Sequence, residues 1–133
     1  MNEQSPYNRL AGAKLRSIRD RDHLQIKRKY QELRASIMAG SGMDRILQCS
    51  EELIATTLLH FESEERAMGE DSPSSLFAHR ELHAEMIESL EDIAEDLKQR
   101  SIRGAMELMK FFEGRLTYHL DVEDAALERN LAN

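Results

Sequence analysis

Four stretches of the chain repeat apolar residues at alternating spacings of three and four, and that repeat permits little except long helices laid side by side. In "HLQIKRKYQELRASI" the stripe is His23, Ile26, Tyr30, Leu33 and Ile37. A second runs Ile46, Cys49, Leu53, Thr56 or Thr57, His60 and Glu64. The third is Leu76, His79, His83, Met86, Leu90, Ile93 and Leu97, and the fourth is Ile102, Ala105, Met109, Phe112, Leu116 and His119. Such spacing keeps one seam of each helix turned inward, as in bundles. Strand signals are absent.

Breakers separate the stripes. "AGSG" lies at 39–42 and "GEDSPSS" at 69–75, where Gly69 can end one helix and Pro73 or the serines can start the next. A weaker break is "QRSIRG" at 99–104, where Ser101 can cap a helix N-terminus. The helices are therefore expected at about 15–38, 43–68, 74–99 and 102–129, after an arm over 1–14 with no clear pattern. Short loops between them imply an all-α, antiparallel up-down-up-down four-helix bundle. With 133 residues, the chain is expected to form a single domain over 1–133 with a real core.

Charge narrows the function. A formal net charge of −7 argues against nucleic acid as a partner. No basic run suits an anionic membrane surface, and no apolar run is long enough to span a bilayer. The first residues lack the apolar centre of a signal peptide. Cys49 is the single cysteine, so no internal disulfide can form, which suits a reducing cytoplasm. Its expected role is that of a small buried apolar residue. The charged helix faces show no second apolar stripe, which points to a monomer.

The histidines lie inside the stripes, where polar groups must be satisfied. His23 is early in the first helix, His60 near the end of the second, His79 and His83 near the start of the third, and His119 near the end of the fourth. In an antiparallel bundle those positions share one end, so all five histidines converge there. His60/Glu64 and His79/His83 are four residues apart, about 40° around the helix and one turn along it, so both members can reach one site. Imidazole and carboxylate together are ligands for iron, zinc or manganese. His119 is followed by Glu123 and Asp124. Angle alone favours Glu123 as its acidic partner, because five residues place Asp124 about 140° away on an ideal helix.

"RDRDHLQI", "HFESEE", "HRELH" and "HLDVED" together resemble the motifs of hemerythrins, specifically the single-domain bacterial ones: a histidine in the first helix, H-F-x-x-E-E, H-x-x-x-H and H-x-x-x-x-D. The resemblance covers about residues 15–129. The chain departs from the usual pattern in having no tryptophan in its N-terminal arm and in the loose "RDRDH" lead-in. The resemblance implies two non-haem irons joined by an oxo or hydroxo bridge. His79, His83 and His119 would hold one, and His23 and His60 the other. Glu64 and Asp124 would bridge them, Asp124 by extension of its side chain or by a local widening of the helix.

The implied ligand set leaves room for a small molecule. Five imidazoles, about four carboxylate bonds and two from the bridge fall about one short of the twelve or so that two octahedral irons need. The open position would be on the iron with two histidines. Ile26, Leu116 and Leu120 are expected around it as a dry pocket. Phe61 and Phe112 are expected in the core, and Asp22 and Glu65 are candidates to orient imidazole N–H groups. The resulting expectation is reversible binding of dioxygen by a carrier or storage protein rather than an enzyme. An oxygen- or redox-sensing input domain attached to a signalling partner is the alternative. A di-iron enzyme acting on peroxide or nitric oxide is a further one, against which stands the lack of a dedicated acid or base.

Overall fold

The computed structural model describes residues 6–68 and 73–119, with side chains over 21–66 and 76–119. Four helices follow in order: α1 (Pro6–Met38), α2 (Met43–Met68), α3 (Pro73–Lys98) and α4 (Ile102–Tyr118). Each packs against the next, giving the expected four-helix bundle, with no strand among the described residues. None of these helices is long and apolar enough to cross a membrane. α1 starts earlier than the stripe suggested, at Pro6 rather than about 15. Proline suits a first helical position, and the following "LAGAKLR" is rich in helix formers. Proline also opens α3. The expected continuation of the last helix to 129 lies outside the described residues beyond His119.

The stripes are the core. Ile26, Tyr30 and Leu33 of α1 meet Ile46, Cys49 and Leu53 of α2. Met86, Leu90, Ile93 and Leu97 of α3 and Ala105, Met109, Phe112 and Leu116 of α4 complete it. Thr57, not Thr56, is the fully buried threonine of α2, and its hydroxyl donates to Leu53 O at 2.7 Å. Tyr30 ties α1 to α4: its hydroxyl lies 3.2 Å from Met109 O and 3.3 Å from Glu113 Oε1, and its ring stacks on Phe112. Burial, reinforced by the Glu113 carboxylate, pushes the Tyr30 phenol up to about 12.

The two described loops close in the same way. After α1, Gly40 N–H donates to Ile37 O and Ser41 N–H to Ser36 O, with Gly40 at φ 70°. After α3, Arg100 N–H donates to Leu97 O and Ser101 N–H to Asp96 O, with Arg100 at φ 61°. Both are Schellman closures, which need a left-handed residue. "AGSG" announces the first through its glycine; the second uses an arginine. Ser101 does occupy the N-cap position of α4, but its hydroxyl makes no capping bond. Its backbone, at φ −88° and ψ 73°, lacks the extended form in which a serine reaches the first-turn N–H groups, so only its carbonyl serves, accepting from Ala105 N–H.

Candidate metal centre

Glu64 is the hub. It is 3% exposed and sits on the last turns of α2, where the stripe turns inward. Its Oε1 lies 2.6 Å from His79 Nε2, 3.0 Å from His83 Nε2 and 3.8 Å from His119 Nε2. Its Oε2 faces the other way, 3.4 Å from Nε2 of His60, one turn earlier on the same helix. The His83 and His119 Nε2 atoms are 3.2 Å apart. His23 of α1 meets His60 edge-on, with ring centroids 5.2 Å apart. Three imidazoles from α3 and α4 thus converge on one oxygen of Glu64, while its second oxygen faces the α1 side.

The far sides of two imidazoles are fixed as well. His83 Nδ1 lies 2.7 Å from Glu65 Oε2, and His60 Nδ1 lies 3.3 Å from Asp22 Oδ2. A carboxylate only accepts, so each Nδ1 facing one would carry a proton, and with a cation beside Glu64 each Nε2 would be left to ligate it. Phe61 closes the site between them, its ring stacked on His83 with centroids 3.8 Å apart and planes parallel. It is 2% exposed, a core residue as expected, and also a wall of this site.

The donor chemistry fits a cation. Glu64, His79, His83 and His119 each offer one ligand atom, all within 4.8 Å of one another. Lone pairs gathered so closely in a buried site repel unless a proton or metal ion lies among them. Two ligands at right angles, each about 2.1 Å from one ion, stand about 3 Å apart. The 3.0 Å from His83 Nε2 to Glu64 Oε1 and the 3.2 Å to His119 Nε2 match that spacing. Mixed imidazole and carboxylate donors suit iron, zinc or manganese.

Of the expected ligands, the structure therefore gathers His79, His83, His119 and Glu64 into one group, with His60 on the far oxygen of Glu64 and His23 beside His60. Asp124, its geometric rival Glu123, and Leu120 lie outside the described residues. Ile26 and Leu116 are in the core, each one turn from a histidine, His23 and His119 respectively. His119, the last described residue, keeps helical backbone angles, with its N–H donating to Arg115 O and Leu116 O. Motif spacing gave no sign of Arg80, whose Nε donates to Glu65 Oε1 at 3.1 Å across the α2–α3 interface. The pair joins residues fifteen apart on different helices, so no local periodicity reveals it.

A helical bundle whose one end is built from imidazoles around a buried carboxylate defines a metal-binding protein of the all-α class. The family model of the hemerythrin HHE cation-binding domain matches residues 15–130, nearly the whole chain. The chain belongs to that family. No curated protein and no solved structure matches it.

Proposed function

We propose that the chain holds two non-haem irons at this end of the bundle and binds dioxygen reversibly, as a carrier or storage protein of a reducing cytoplasm. The supporting observation is the two-faced setting of Glu64, with three imidazoles at one oxygen and His60 at the other. In this reading His79, His83 and His119 would hold one iron and His23 and His60 the other, with Glu64 and Asp124 available to both. Ferrous iron held there would supply the electrons with which dioxygen is bound.

The protein's own residues do the rest. Glu65 and Asp22 keep their imidazoles in the Nδ1–H tautomer, so the ligand nitrogens need no reorganisation. Phe61 excludes water from one side, and the buried Ile26 and Leu116 line the adjoining core with apolar surface.

The test starts from iron-loaded protein reduced without oxygen. Air is admitted and then removed while the visible spectrum is recorded and iron per chain is counted. A charge-transfer band that rises with oxygen and fades on its removal, at about two irons per chain, is the expected outcome. A band that never reverses would overturn reversible binding.

A further inference from the structure

Two chains of polar contacts lead from the surface to Glu64, and they share one construction. On the α3 side, Arg80 Nε meets Glu65 Oε1 at 3.1 Å, Glu65 Oε2 meets His83 Nδ1 at 2.7 Å, and His83 Nε2 meets Glu64 Oε1 at 3.0 Å. On the α1 side, Arg21 Nε meets Asp22 Oδ1 at 3.5 Å, Asp22 Oδ2 meets His60 Nδ1 at 3.3 Å, and His60 Nε2 meets Glu64 Oε2 at 3.4 Å. Each has an outer guanidinium, an intermediate carboxylate using both oxygens, and a buried imidazole.

Every link is shorter on the α3 side. Its carboxylate is also held from another helix, whereas Arg21 and Asp22 are neighbours on α1. Both arginines are largely exposed, with side chains 62% and 67% accessible. A cavity of about 360 Å³ between α2 and α3 has Arg80 and Glu65 on its polar edge and Leu58, Ala84 and Ile87 on its apolar side.

We propose that Arg80 is a positioning residue for the metal centre: by holding Glu65 it locks His83 with Nδ1 protonated and Nε2 aimed at Glu64, with Arg21 and Asp22 as a weaker counterpart at His60. The proposal rests on the reading of this cluster as a metal site. The reasoning is electrostatic and geometric. Glu65 is a flexible side chain with two oxygens and several rotamers. A guanidinium on Oε1 selects the one that presents Oε2 to His83, and it draws off part of the charge that the imidazole N–H would otherwise meet alone. Without Arg80, Glu65 is free to turn to solvent through the α2–α3 cavity, and the His83 Nδ1 proton loses the acceptor that fixes the ring for ligation through Nε2.

Two measurements on the full chain test this, and they fail independently. In metal-free protein with ¹⁵N-labelled histidine, the Nδ1 proton of His83 is expected to give a resolved signal that exchanges slowly with water, because Glu65 holds it. Arg80→Ala should speed that exchange, Arg80→Lys should speed it less, and Arg21→Ala should leave it unchanged. Unaltered exchange in Arg80→Ala overturns the proposal. The second measurement is release of cobalt(II) into excess chelator. Loss of a partner behind a ligand weakens metal binding about 10- to 100-fold, and Arg80, one contact further out, is expected near the lower end. Salt near 1 M, where screening is effective within about 3 Å, should speed release from the parent chain and leave Arg80→Ala unmoved. Glu65→Gln should make a second change at Arg80 silent, because the two act in series. If the parent chain takes up no cobalt while the His83 Nδ1 proton of the parent still exchanges slowly and that of Arg80→Ala quickly, the lock stands and the metal reading fails instead.

Discussion

The two ends of the bundle solve the same problem in opposite ways. At the end with the described loops, Leu33, Leu53, Leu90, Ile93, Leu97 and Ala105 form a dry apolar core. Its buried polar groups are satisfied within their own helices: Ser36 donates to Leu33 O and Ser50 to Leu47 O. At the other end the buried groups are His60, Glu64, His83, His119 and Asp22, and each has a partner on another helix. Local satisfaction survives small shifts of the helices. Satisfaction across helices does not, and there the gathered lone pairs call for a cation. One end is thus stabilised by packing alone, the other by packing plus whatever occupies the cluster.

The most direct way to break that contrast is to remove the metal. At free metal about 1,000 times the dissociation constant, binding adds about 4 kcal/mol to stability. A chelator should therefore lower the melting temperature of the loaded protein sharply, and His79→Ala should be low already and insensitive to chelator. Equal melting temperatures with and without chelator in the parent chain would remove the metal from the stability argument. Leu97→Ala at the apolar end should cost about 2–5 kcal/mol through the cavity it leaves. That loss should be the same in loaded and chelated protein, since distant sites add. A loss that grows on metal removal would show the two ends to be coupled.

The ends also differ in how legible they were. The apolar seams of α2, α3 and α4 follow from periodicity because side-chain direction repeats with the helix, and burial selects for it. Convergence of His60, His79, His83 and His119 follows from the loops as well, since short connections force antiparallel neighbours. What the sequence hid is of two kinds. Arg80 meets Glu65 only once α2 and α3 are in register, a property of packing rather than spacing. Arg100 takes the left-handed position that closes α3, where residue preference points to glycine or asparagine.

Tyr30 sits between the two ends, and alkaline pH isolates its share. Its phenol is raised to about 12 from an ordinary 10.0. The folded state therefore holds this proton more tightly than the unfolded chain. The associated stability is fully present below about pH 10 and is lost as pH rises through the folded value near 12. Tyr30→Phe keeps the stack on Phe112 and loses the hydrogen bond, at a cost of about 1 kcal/mol near neutrality. Denaturant titrations across that alkaline range should show a steeper decline in the parent chain than in Tyr30→Phe. Parallel declines would mean that the phenol ionises equally in both states.

The smallest effect lies at the apolar end and has the opposite sign. Gly40 and Arg100 occupy equivalent positions in their closures, at φ 70° and φ 61°. A side chain at such a φ costs about 1–2 kcal/mol, partly offset by glycine's greater freedom when unfolded, about 0.5–1 kcal/mol. Arg100→Gly should therefore stabilise the protein by about 0.5–1 kcal/mol, in loaded and metal-free forms alike. Gly104, in the first turn of α4, would place a Cβ 2.8 Å from both Asp96 Oδ2 and Ser101 Oγ, but both are the ends of side chains that can turn aside. A rise in melting temperature for Arg100→Gly would show that backbone geometry holds this end closed. If Arg100→Gly instead destabilised the loop, the guanidinium itself would be making the closure, and the two ends would be less different than their cores suggest.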